Sequence, residues 1–133
     1  MKTILAGVLV AAGLLLAAGP ALAHHAFSAE FDANKPVTLT GTVTKVEWTN
    51  PHAWFYIDVA DAAGKVTNWA FELGGPNTLL REGWTRNSMK PGDVVTVEGS
   101  RAKDGSPIAN AQAVTLKSTG KRLFAASSRG QKQ

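Results

Sequence analysis

The stretch Gly74-Gly75-Pro76-Asn77-Thr78-Leu79-Leu80-Arg81-Glu82-Gly83 reads as a short helix set among strands, and its place in their order decides the fold. The paired glycines break what precedes them, and Pro76 suits a first helical turn, whose amides need no partner within the helix. Asn77 to Glu82 continues the helix with Leu79 and Leu80 apolar, and Gly83 suits a left-handed stop. Trp84 is expected to close over the helix end.

Upstream, the apolar period changes to two. Val66 to Leu73 reads as a strand that sends Thr67, Trp69, Phe71 and Leu73 one way and Asn68, Ala70 and Glu72 the other. Asp61-Ala62-Ala63-Gly64-Lys65 is a hairpin loop before it. His52 to Ala60 alternates too, with Ala53, Phe55, Ile57 and Val59 facing a core and His52, Trp54, Tyr56 and Asp58 facing out. The turn Thr49-Asn50-Pro51 joins it to a first strand, Val37 to Trp48, rich in valine and threonine. Gly41 lies in the middle of that strand, where a glycine often marks a bulge or a barrel corner.

Downstream, Lys90-Pro91-Gly92-Asp93 is a tight turn into a fourth strand, Val94 to Gly99. Ala102 to Pro107 is a polar loop, and Ile108 to Leu116 is a fifth strand. The short apolar piece Leu123-Phe124-Ala125 is placed to pair at an edge. Three strands, a short helix and two strands make a mainly β chain. They predict a small OB-like five-stranded barrel with one short helix between strands three and four. An open sandwich would usually bring more strands at this length.

The ends read differently. Met1-Lys2-Thr3, the apolar run Ile4 to Ala18 and the Ala-x-Ala pattern Ala21-Leu22-Ala23 describe a secretory signal peptide over 1–23. The apolar run is shorter than the roughly 20 residues of a spanning helix, so no membrane anchor is expected after cleavage. The remaining 110 of the 133 residues suit one domain: an N-terminal arm over 24–36, the barrel over 37–126 and a disordered basic tail over 127–133. Within the arm, Phe27 and Phe31 lie four apart, either on a turn or two of helix or on an extended segment. Lys35-Pro36 should end whatever precedes it. The chain has no cysteine, so its stability rests on packing, and no lipid can be attached through a cysteine at the cleavage site. A periplasmic or secreted protein is expected. The formal charge of +4 is mild and argues neither for nucleic acid nor for an anionic membrane.

Ala23-His24-His25-Ala26-Phe27, Trp48-Thr49-Asn50-Pro51-His52-Ala53-Trp54 and Lys90-Pro91-Gly92-Asp93 together resemble a family of small exported bacterial proteins of unknown function. Its members show paired histidines directly after the signal, a phenylalanine soon after, and an Asn-Pro-His turn. Ala26 stands where a serine is common. The resemblance implies export and a small β-barrel, and it brings no activity.

The histidines are His24, His25 and His52. After cleavage behind Ala23, His24 would carry the free amine, which can bind copper together with its own imidazole. His52 is the expected third nitrogen donor. Such a set looks like the histidine brace of copper-dependent lytic polysaccharide monooxygenases and some periplasmic copper carriers. Nitrogen ligands of this kind suit copper(II), with zinc or nickel as weaker candidates, and an α-amine of ordinary pKa near 8 gives up its proton to a metal near neutral pH. Phe27 and Phe31, packed on the outward face of the second strand, would bring the histidine pair close to His52.

A second reading is a non-catalytic binding module. OB barrels bind on the face of strands two and three, where Trp54, Tyr56, Asn68 and Glu72 would meet a small molecule, a glycan or a partner protein. Apart from Glu72 in that role, Asp58, Asp61, Glu72 and Glu82 read as surface or loop acids. Trp48, Trp69 and Trp84 read as core. The chain holds no Gly-x-Ser-x-Gly elbow, cysteine nucleophile, phosphate loop or glycosidase-type carboxylate pair, which points away from an enzyme.

Overall fold

Alternation of apolar and polar residues builds each strand, and pairing between distant strands closes them into a ring. A computed structural model describes residues 27–126. The expected signal peptide (1–23), His24 and His25 in the arm, and the tail (127–133) lie outside those residues. Residues 27–30 are helical. The remainder, from Phe31 onward, comprises β1 (Phe31–Glu47), β2 (Trp54–Ala60), β3 (Val66–Glu72), α1 (Pro76–Arg81), β4 (Val94–Ala102), β5 (Ile108–Leu116) and β6 (Arg122–Phe124).

The strands lie in the order β3-β2-β1-β4-β5-β6. Neighbours in that order are antiparallel, and β3 also pairs in parallel with β5 through Ala70↔Ile108, Phe71↔Ala109 and Glu72↔Asn110. That last pairing joins the ends of a five-stranded ring, and with α1 between β3 and β4 the chain has the expected OB-like architecture. Closure hides most of the ladder edges.

The inward residues are those the period of two selects. Phe55, Ile57, Phe71, Leu73, Val95 and Val97 are fully buried, and the Phe55 and Phe71 rings stack with centroids 5.2 Å apart. Burial of each such side chain stabilises the fold by about 1.5–3 kcal/mol. Helix α1 starts at Pro76 after an extended Gly75 and ends before Gly83, whose φ of 92° is the left-handed stop. It buries Pro76 and Leu79, while Leu80 stays exposed.

Three local features differ from expectation. Strand β1 begins six residues early, at Phe31, and runs through Lys35-Pro36. Its register with β4 shifts between Phe31 and Pro36, and an irregular stretch tolerates a residue with no amide to donate. Gly41 is not the bulge. A Cβ at Gly41 would collide with the carbonyl oxygen of Asp58 on β2, so the glycine permits close approach of two backbones. The register shift between β1 and β2 comes instead between Val43 and Lys45.

Strand β6 does more than cover an edge. Leu123 and Ala125 are buried, and the Ala125 amide donates to the Gln112 carbonyl at 2.9 Å. The Gly74 amide donates to the Ala125 carbonyl at 2.8 Å, and Trp84 Nε1 donates to the Phe124 carbonyl at 2.9 Å. Trp84, buried as expected, therefore ties the segment after α1 to the last strand.

Candidate functional site

The outward face of β2 and its neighbours follows from three registers. Trp54 lies opposite Glu72, Tyr56 opposite Ala70 and Asp58 opposite Asn68. On the other side Glu47 lies opposite Trp54 and Lys45 opposite Tyr56. Cross-strand partners share a face, so Lys45, Glu47, Trp54, Tyr56, Asp58, Asn68 and Glu72 form one surface.

Lys45 and Glu47 are there only because of the bulge. Strict alternation from buried Val43 would send Lys45 and Glu47 inward; the extra residue Thr44 flips the phase, so that Val46 packs against the core and the two charged residues point out. Sequence reasoning did not single these two out. The signal was present as the three-residue spacing of Val43 and Val46, which no uninterrupted strand can place on one face.

Most polar groups on this surface hold one another. Lys45 and Glu47 form an ion pair, the Tyr56 hydroxyl donates to Glu47 Oε2 at 3.1 Å, and Lys45 Nζ lies 5.5 Å from the Tyr56 ring centroid. The Lys45 ammonium holds the Glu47 carboxyl below its usual range, and Glu47 in turn raises Lys45. Burial, followed by the hydrogen bond to Glu47, pushes the Tyr56 phenol up. Asn68 Nδ2 donates to Asp58 Oδ1 at 2.8 Å and to Thr44 Oγ1 at 3.2 Å. Trp54 is half-buried, and its indole N–H has no hydrogen-bond partner among the described residues.

At the end of this surface His52 is held from two sides. Thr49 Oγ1 donates to the His52 carbonyl at 3.0 Å, after a cis Asn50-Pro51 peptide. Leu73 and Ala53 continue the β2–β3 ladder past its formal end, with the Leu73 amide 2.9 Å from the Ala53 carbonyl. This fixes His52 beside Glu72, and His52 Nδ1 sits 2.9 Å from Glu72 Oε1. Asn110 Nδ2 lies 3.5 Å from the same oxygen. Glu72 is only 8% exposed, which corrects its reading as a surface acid: the parallel β3–β5 pairing sets buried Asn110 beside it. The His52 side chain keeps 44% of its surface in solvent. A proton on Nδ1 directed at Glu72 would leave the lone pair on Nε2, which has no hydrogen-bond partner among the described residues.

The residues named from sequence are thus partly assembled. His52, Trp54, Tyr56, Asn68 and Glu72 share one face. His24 and His25 lie outside the described residues. Phe31 does not pack on this face. It is buried opposite Ala102 of β4, at the far end of β1 from the Thr42–Glu47 segment that pairs with β2. Trp48 packs against the core as expected. Trp69 stacks on Phe71 and is half-buried, with the Arg101 guanidinium 5.4 Å from its ring centroid. Among the described residues no group of three or more His, Cys, Asp or Glu is arranged to hold a metal ion, and no helix is long and apolar enough to cross a membrane.

No curated protein matches the chain. Among solved structures it is similar to a crystal structure of the S. cerevisiae mitochondrial single-stranded DNA-binding protein Rim1. That match has 10% identity and a TM-score of 0.49, and it covers 62% of this chain and 93% of that one. A family model matches residues 11–111, about three quarters of the sequence, and by that match the chain belongs to the family of unknown function DUF6152.

Proposed function

We propose that this protein is an exported, periplasmic or secreted OB-like barrel that binds copper(II). The ligands are the amine and imidazole of a mature N-terminal His24, with His25 and His52. The observation that carries the reading is the contact between His52 and Glu72. A buried carboxylate that takes one ring nitrogen of a half-exposed histidine fixes the ring and its tautomer, and leaves the other nitrogen as a donor. This is the arrangement that metal-ligating histidines keep. The described residues supply too few ligands for a complete site, and His24 and His25 are the donors the rest of the sequence offers. The role is carriage or storage of the ion, and no reaction is assigned to it.

The alternative is a non-catalytic module that binds a small ligand or partner protein through Trp54, Tyr56, Asn68 and Glu72. The Trp54 indole, without a hydrogen-bond partner among the described residues, favours it. Against it, the Tyr56 hydroxyl, the Asn68 amide and the Glu72 carboxylate are already engaged within the barrel, and a ligand would have to compete for them.

The test is copper(II) titration of the chain processed to His24, followed by electron paramagnetic resonance. One tight site with several nitrogen donors, lost on His52→Ala and weakened by one extra residue before His24, is the expected outcome. Weak or multiple binding, or affinity indifferent to His52, would overturn the reading. Trp54→Ala should leave copper affinity intact.

A further inference from the structure

The charge of this chain is unevenly placed. Residues 1–116 hold nine basic and ten acidic side chains, whereas residues 117–133 hold Lys117, Lys121, Arg122, Arg129 and Lys132 and no acid. The modest overall charge conceals this division. Three of those five bases lie on or beside the described turn between β5 and β6. Lys117 and Lys121 are exposed there and make no ion pair among the described residues.

The same hairpin presents an aromatic ring to solvent. Leu123 and Ala125 turn inward, so Arg122 and Phe124 turn outward, and Phe124 is 54% exposed. The Arg122 guanidinium lies 4.9 Å from the Phe124 ring centroid and donates to Glu98 Oε2 at 2.9 Å. Two acids on or beside the neighbouring strand β4 are both occupied: Glu98 by Arg122, and Asp93 by Lys90 at 3.0 Å. Asp93 adjoins Val94, whose carbonyl accepts the Lys117 amide. Lysines without an ion pair among the described residues, on the same hairpin as an exposed ring, match a phosphate-bearing interface, with cations at the headgroups and the ring at the acyl boundary.

We infer that the β5–β6 hairpin docks the protein peripherally on a bilayer surface of anionic phospholipid, through Lys117, Lys121 and Phe124, with Arg122 held by Glu98 beside the ring. The inference is independent of the copper reading. It needs no spanning segment, and the contact is reversible and sensitive to salt. The bilayer is favoured over nucleic acid because an isolated ring at a hairpin edge suits insertion among lipids, whereas single strands are bound by successive aromatic residues along a basic groove.

The test is co-sedimentation of the processed, metal-free chain with phosphatidylethanolamine vesicles containing phosphatidylglycerol, against vesicles of phosphatidylcholine alone. Binding only to the anionic vesicles is expected. It should fall at least about tenfold in Lys117→Glu/Lys121→Glu and several-fold in Phe124→Ser. Lys65→Glu/Lys103→Glu changes the net charge equally but elsewhere, and should retain most of the binding. Equal loss in both double variants would overturn the proposal, because charge alone would then suffice. So would absence of vesicle binding, or tight binding of a single-stranded oligonucleotide in its place.

Discussion

Glu72 Oε1 lies 2.9 Å from His52 Nδ1, with the carboxylate buried and the imidazole half in water. The pair spans the joint between β2 and β3, so the ring orientation is a property of the barrel. Replacing Glu72 by Gln keeps an oxygen acceptor and removes the charge. Copper(II) affinity of the processed chain is expected to fall about 10-fold or more in Glu72→Gln, with the far-ultraviolet circular dichroism unchanged. Calorimetric titration of both proteins checks this, and equal affinities would detach Glu72 from the site.

Gly41 and Gly99 each face the backbone of a neighbouring strand. A Cβ would strike the Asp58 carbonyl in the first case and the Asn110 carbonyl in the second. A paired backbone cannot yield as a side-chain tip does. Gly41→Ala and Gly99→Ala are therefore each expected to cost about 1–3 kcal/mol or more in urea denaturation.

Asp93 should contribute to acid sensitivity. It accepts from the Lys90 amide at 2.9 Å and from Lys90 Nζ at 3.0 Å, which hold its carboxyl below the usual carboxylate range. Asp104 is lowered likewise by the Ser106 hydroxyl and amide. A carboxyl lowered in the folded state binds fewer protons there than in the unfolded chain. Its contribution is present above the unfolded pKa, about 3.9, and is lost as pH falls through the folded value. Urea midpoints measured downward from pH 6 should decline below about pH 4, and more shallowly in Asp93→Asn. Parallel profiles would show that Asp93 does not contribute.

Trp84→Phe deletes the donor to the Phe124 carbonyl while keeping most of the buried ring. A loss of about 1 kcal/mol is expected. The Gly74 and Ala125 amides, which lock β6 in place, should exchange with deuterium faster in that variant. Unchanged exchange at those two positions would mean that Trp84 does not hold the strand.

The residues of the candidate site were legible to different degrees. Trp54 and Tyr56 were readable because outward placement in a regular strand depends only on odd and even positions. Lys45 and Glu47 escaped because one extra residue, Thr44, reverses that parity, and the reversal shows only in the spacing of Val43 and Val46. Phe31 was misplaced because Pro36 suggested an ending, and the irregular β1–β4 pairing absorbs that proline.

The sequence by itself determined the order of three strands, one helix and two strands, because periodicity and turn residues act over a few neighbours. It also determined which residues of β2 face inward. Only the tertiary structure decided that Glu72 is buried against His52. That outcome needs β3 to lie parallel to β5, so that Asn110, 38 residues further along the chain, can stand beside a carboxylate. Only it could show that β6 and Ala125 return to Trp84 and Gly74. Contacts between segments so far apart carry no local pattern, and they form where closing the barrel satisfies backbone groups that an open sheet would leave unpaired.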